Sequence, residues 1–132
     1  MEVTKILLVD DEPLVRRSLE KTLLRAGFDV ETAQDCNSGL DTFTQAITAG
    51  APFDFAILDI NMPNFEGVEA NGAGLELLSK LVEKKPDLSA IMLTAYDEVN
   101  KAKDAVQRGA KAYFVKGREK GLVELINDIM DA

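Results

Sequence analysis

The chain of 132 residues contains no histidine. Imidazole acid–base catalysis and histidine metal ligation are therefore excluded. It contains a single cysteine, Cys36, so no internal disulfide can form, and a reducing cytoplasm is the simplest compartment. Its longest apolar runs are far too short to span a membrane, and the N-terminal apolar stretch is strand-length, without a signal-peptide layout. Basic residues are outnumbered: 15 Lys and Arg stand against 23 Asp and Glu, a formal charge of −8. A phosphate backbone wants a basic face, so nucleic acid is not the expected direct ligand. Internal repeats, low-complexity tracts and linkers are missing as well.

What is present reads as one globular domain over residues 1–132. An apolar fraction of 46% excludes disorder, and a chain of this size can bury enough surface to fold without staples. The last helical segment ends with the sequence, so no output domain is expected within these 132 residues.

Strand-like and helix-like segments alternate. Strands are expected at Lys5–Val9, Asp29–Thr32, Asp54–Leu58, Ala90–Leu93 and Ala112–Val115. The first, third and fourth are nearly continuous in apolar residues, which suits strands covered on both faces. The second and fifth are more polar, as edge strands would be. Between them run helical spacings: Val15, Leu19, Leu23 and Ala26 before Gly27; Leu40, Phe43 and Ile47 before Gly50; Leu75, Leu78 and Val82 before Pro86. Val99, Ala102 and Val106 precede Gly109, and Leu122, Leu125, Ile126 and Ile129 mark the last helix. Five such units imply an α/β fold, a doubly wound five-stranded parallel sheet in three α/β/α layers. The flavodoxin-like order 2-1-3-4-5 needs no sixth strand and sets the first and third strands side by side at the switch point.

That order brings chemistry to one edge. Asp10 and Asp11 follow the first strand, Asp59 the third, Thr94 the fourth and Lys116 the fifth. An isolated aspartate after a strand commonly caps the next helix, and Asp11 lies near such a start. Three carboxylates converging at neighbouring strand ends should instead raise one another's pKa values or recruit a cation.

The segments Leu8-Val9-Asp10-Asp11-Glu12, Leu58-Asp59-Ile60-Asn61-Met62-Pro63 and Leu93-Thr94-Ala95, with Tyr113 three residues before Lys116, resemble the receiver domain of bacterial two-component response regulators. The likeness covers the chain from Ile6 to the last helix. It implies a phosphoacceptor switch rather than a turnover enzyme, promoting its own phosphorylation and slow autodephosphorylation in phosphorelay signal transduction. Asp59 would become an aspartyl phosphate, taking the phosphoryl group from a sensor histidine kinase or a phosphotransfer protein. Mg²⁺ would be held by Asp11 and Asp59 directly, by Asp10 through water and by the Asn61 backbone carbonyl. Lys116 and the Thr94 hydroxyl would meet the phosphoryl oxygens. Tyr113 would follow Thr94 inward, although a strand aromatic also serves plain packing. The reshaped face of fourth helix, fifth strand and fifth helix would engage an output domain or protein, or a second copy. A constitutive interaction module and a haloacid-dehalogenase-type phosphohydrolase are the rivals. The second needs Asp-x-Asp after the first strand, and the pair here is adjacent.

Two departures from the family, and two side chains at positions that vary within it, stand out. Val68-Glu69-Ala70-Asn71-Gly72-Ala73-Gly74 read as an insertion whose glycines imply mobility or unusual backbone angles. Gly117 replaces the proline usual after the lysine, which puts the path of that turn, though not the reach of Lys116 to Asp59, in question. Asn61 and Tyr96 occupy positions that in the family modulate hydrolysis, and a bulky Tyr96 would slow it. Cys36 reads as an inert helix-start residue.

Overall fold

The computed structural model describes residues 3–70, 72–95, 99–107, 109–117 and 120–131. Its elements run β1 (Lys5–Val9), α1 (Pro13–Arg25), β2 (Asp29–Ala33), α2 (Cys36–Thr48), β3 (Phe55–Asp59), β4 (Met62–Pro63), β5 (Glu69–Ala70) and α3 (Ala73–Lys84). They continue with β6 (Ser89–Thr94), α4 (Val99–Gln107), β7 (Ala112–Val115) and α5 (Leu122–Met130). Five strands form one sheet in the order β2-β1-β3-β6-β7, with all neighbours parallel. This is the expected 2-1-3-4-5 order, with the polar strands β2 and β7 at the edges. The third strand begins and ends one residue later than its apolar run suggests, because Asp54 turns outward to bond the β1 backbone through its Oδ2 and the Lys5 N–H.

The sheet is buried on both faces, which is why its central strands are apolar except at their ends. Ile6, Leu8, Phe55, Ile57, Ile91 and Leu93 face α1 and α5 and meet Leu19, Leu23, Leu122 and Ile126. Leu7, Val9, Ala56, Leu58, Ala90 and Met92 face the other way and meet Phe43, Leu77, Leu81 and Ala105 from α2, α3 and α4. The helices start for identifiable reasons. Pro13 occupies the first turn of α1, where its missing N–H costs nothing. Asp35 caps α2 in a reciprocal box with Ser38.

The inserted segment is not loose. β4 and β5 pair antiparallel, Met62 with Ala70 and Pro63 with Glu69. Asn64 ties the tip: its Oδ1 accepts from the N–H groups of Glu66 and Val68, and its own N–H donates to the Val68 carbonyl. Asn37 of α2 donates through Nδ2 to the Phe65 carbonyl at 3.0 Å, and Lys80 of α3 sits 5.0 Å above the Phe65 ring. The expectation of unusual backbone angles holds at Gly72, with φ of +82°, and not at Gly74; Gly67, just ahead of the segment, takes φ +79°. Asn71, within the insertion, lies outside the described residues, as does Tyr96.

Removing residues 68–74 or residues 67–73 leaves the same sequence, so sequence cannot say which glycine is the extra one. The structure can. A Cβ on Gly67 would meet nothing, whereas one on Gly74 would overlap the Asp59 carbonyl oxygen and lie 2.9 Å from the Ile60 Cα. Gly74 is the close-packing glycine that lets α3 seat against the segment carrying Asp59, and its N–H donates to the Ile60 carbonyl at 2.8 Å. Gly74→Ala is expected to cost about 2–3 kcal/mol in urea unfolding, an overpacking penalty. Gly67→Ala, which is open but left-handed, should cost about 1 kcal/mol.

Candidate functional site

Parallel register sets the site. Val9 lies opposite Leu58, Asp59 opposite Leu93, and Thr94 opposite Val115. The residues that follow β1 and β7, and those that end β3 and β6, therefore leave the sheet along one edge. Asp10 is fully buried, and Asp59 and Thr94 are 3% and 1% exposed. Asp11 is half-buried and Glu12 exposed. One carboxylate oxygen from each of Asp10, Asp11, Glu12 and Asp59 falls within 4.8 Å of the others.

Lys116 is the cation of this cluster. Its Nζ donates to Asp59 Oδ2 at 2.9 Å and to Glu12 Oε1 at 2.6 Å, and it lies 3.2 Å from Asp10 Oδ2. The reach of Lys116 to Asp59 expected from sequence is met. No peptide bond among the described residues is cis, and Gly117 takes φ +85°, so the turn that lacks the family's proline follows a trans path through a left-handed glycine. The Lys116 N–H also donates to the Thr94 carbonyl at 2.8 Å, which pins the lysine's backbone to the end of β6.

Burial dominates the electrostatics. It raises the Asp59 pKa to about 8, reinforced by the Asp10 charge and the Asp11 contact, and opposed only in part by Lys116. Burial likewise raises Asp10, while the Glu12 N–H and Lys116 pull it back. Lys116 moves up: burial works against its charge, but the carboxylates of Glu12, Asp59 and Asp10 outweigh it. The balance is incomplete. Asp10 Oδ2 is buried and its approach to Lys116 is too poorly aligned to be a hydrogen bond. A buried carboxylate oxygen with a free lone pair, beside carboxylates from two neighbouring strands, suits a hard, oxygen-seeking cation.

The remaining candidates divide. Asp11 does not cap α1. That helix begins at Glu12 without a side-chain cap, and the carboxylate holding the turn is Asp10, whose Oδ1 accepts from the Glu12 N–H at 2.8 Å. The Asn61 N–H donates to Asp59 Oδ1 at 3.3 Å, and its side-chain Oδ1 accepts from the Gly72 N–H at 3.0 Å. Thr94 is at the site, with its hydroxyl donating to the Ala95 carbonyl at 3.0 Å. Tyr113 is half-buried and packs on the core shared with α2, α3 and α4. Cys36 is buried, with its Sγ–H donating to the Ala73 carbonyl and its pKa pushed up to about 12, by burial first and then by Glu76 and Asp35. An inert thiol follows. Sequence reasoning undervalued Glu12, which makes the shortest contact to Lys116. Its place directly after Asp10-Asp11 was the available signal.

Comparison with known proteins agrees with this geometry. Residues 6–127 match the response regulator receiver domain family. The response regulator protein PilR of Pseudomonas aeruginosa is 32% identical over 127 residues, covering 96% of this chain and 26% of that protein. The DNA-binding transcriptional activator DevR/DosR of Mycobacterium tuberculosis is 33% identical over 114 residues, covering 86% of this chain and 48% of that protein. The chain thus spans about a quarter to a half of the length of these relatives. Among solved structures, a CheY-like response regulator receiver domain protein from Methanospirillum hungatei superposes with a TM-score of 0.80 at 29% identity, covering 98% of this chain and 95% of that one. The response regulator protein TrrA from Thermotoga maritima, solved in complex with Mg(2+)-BeF, gives a TM-score of 0.76 at 32% identity, covering 96% of this chain and 98% of that one. With strand order, acidic edge and family match in agreement, the chain belongs to the response regulator receiver domains.

Proposed function

We propose that Asp59 accepts a phosphoryl group from the phosphohistidine of a sensor histidine kinase or phosphotransfer protein, and that the modified domain then signals to an output domain or protein. The observation that carries this reading is the Lys116 ammonium 2.9 Å from Asp59 Oδ2 inside a cluster of four carboxylates, of which Asp10 and Asp59 are buried. In the step, an Asp59 carboxylate oxygen forms a bond to phosphorus, the bond from phosphorus to the donor's imidazole nitrogen breaks, and the imidazole leaves with a proton. The product is a mixed anhydride. Phosphoryl transfer asks mainly for positioning and charge neutralisation.

The chain's own residues divide that work. Asp59 is held at the end of β3 by the Asn61 N–H on Oδ1 and Lys116 on Oδ2. Lys116 stays charged and can follow the negative charge from carboxylate to phosphoryl oxygens, as a point charge on a flexible stem. Asp10, Asp11 and Asp59, with the Asn61 backbone carbonyl, would hold Mg²⁺. Bound there, the ion supplies the positive charge that favours ionised Asp59 over its acid. The new group adds about −1.5 to −2 charges, and the Thr94 hydroxyl, one rotation away from its Ala95 partner, can donate to it. Tyr113 would take the space that Thr94 leaves, altering the face of α4, β7 and α5 through which an output partner or a second copy would bind. A role as a switch rather than a turnover enzyme follows, with slow autodephosphorylation. No described helix is long and apolar enough to cross a membrane, and a cytoplasmic setting suits the lone buried Cys36. The acidic charge favours a protein partner over direct nucleic-acid contact by this domain.

Incubation with Mg²⁺ and acetyl phosphate should give one phosphoryl adduct by intact mass. Asp59→Asn should abolish it, and Lys116→Ala should slow its formation by about 10- to 100-fold. An adduct that survives Asp59→Asn would move the acceptor elsewhere.

The raised pKa of Asp59 also predicts a stability trend. Between its ordinary value of 3.8 and about 8, the folded state keeps a proton that the unfolded state has lost. Stability therefore falls as pH rises through that window. Without divalent cations, Asp59→Asn should match the wild type near pH 5 and exceed it by about 1 kcal/mol or more near pH 8. Urea unfolding at the two pH values checks the sign.

A further inference from the structure

Asn61 stands between the acceptor carboxylate and the inserted hairpin. Its N–H donates to Asp59 Oδ1 at 3.3 Å, and its side-chain oxygen accepts from the Gly72 N–H at 3.0 Å. Two residues on, the Gly74 N–H donates to the Ile60 carbonyl at 2.8 Å. Ile60 and Asn61 are thus bonded to Gly74 and Gly72 by two hydrogen bonds.

The donor at Gly72 comes from a braced element. The hairpin is closed by Asn64, tied to α2 by the Asn37 contact with the Phe65 carbonyl, and covered by Lys80 of α3 over the Phe65 ring. Gly72 itself has φ +82°, a conformation glycine adopts at no steric cost. A carboxamide rotates freely unless something holds it, and an oxygen that is free to turn can accept a hydrogen bond from any water nearby. Here the oxygen is held on the hairpin side, on the same residue whose N–H contacts Asp59.

We propose that the hairpin prolongs the life of a phosphoryl group on Asp59 by holding the Asn61 side-chain oxygen on the Gly72 N–H, where it cannot orient a hydrolytic water. Asn61 is then a positioning residue, and the inference rests on the phosphoacceptor reading above. In the hydrolysis that it restrains, a water oxygen forms a bond to phosphorus and the bond from phosphorus to the Asp59 oxygen breaks. Asp59 regains its carboxylate, and the water's proton passes to phosphate or solvent.

The test uses the full chain loaded with acetyl phosphate and Mg²⁺, then freed of donor, with adduct loss followed by intact mass. Deleting residues 67–73 should speed the loss about fivefold, the value of one hydrogen bond. The deletion placed in the Asn61→Ala background should add no acceleration, because the two act through one contact. Equal acceleration in both backgrounds, or none in the wild type, overturns the proposal.

Amide hydrogen exchange of unphosphorylated protein gives a second reading that does not need the deletion to fold. The Gly72 N–H should be protected, Asn61→Ala should speed its exchange about tenfold, and Asn61→Asp, which keeps an acceptor, should preserve most of the protection. An unprotected Gly72 in the wild type overturns the tether outright. A protected Gly72 in a protein that takes no adduct means instead that the phosphoacceptor reading has failed, and the lifetime claim falls with it.

Discussion

The crowding of negative charge at one edge of a parallel sheet is the constraint around which this domain is arranged. Asp10 and Asp59 come from adjacent strands, and both are shut away from water. Neither could remain charged there alone, because desolvation and mutual repulsion act in the same direction. Among the described residues one ammonium, Lys116, reaches both and also Glu12. Removing that ammonium would leave the buried carboxylates uncompensated. The site is therefore held under electrostatic tension by its own carboxylates.

The rest of the fold keeps this tension from relaxing. Both faces of the sheet are sealed by helices, which holds the strand ends that carry Asp10 and Asp59 side by side. The lysine is fixed at its backbone by the Thr94 carbonyl. Behind Asp59, Gly74 allows α3 to sit against the main chain with no side chain intervening. The hairpin leaves the sheet edge at buried Met62 and returns at Gly74, which is bonded to the Ile60 carbonyl beside Asp59.

Much of this was legible in the sequence because the signals were periodic or clustered. Continuous apolar runs marked the three central strands, polar ones the two edges, and the positions of Asp10, Asp59, Thr94 and Lys116 relative to those runs placed them on one edge. What escaped notice was local or degenerate. Strands of two residues, such as β4 and β5, have no period to detect. Asp54 sits inside the apolar run of the third strand, and only its bond to the Lys5 N–H shows that the strand starts after it. Gly67 and Gly74 are interchangeable on paper and are distinguished only by what surrounds them. Glu12 looked like the end of a motif, yet a flexible exposed carboxylate makes the shortest ion pair to Lys116. Side-chain reach of that kind is not encoded in spacing.

Gly117 bears on how this domain can exchange parts with its relatives. A backbone at φ +85° cannot be shared with proline, whose ring holds φ near about −65°. The turn after β7 and the approach of Lys116 to the carboxylates therefore form one indivisible module. A chimera that imports only a proline-bearing turn would redirect the lysine, so recombination with a proline-bearing relative preserves the site only when strand, lysine and turn are inherited together.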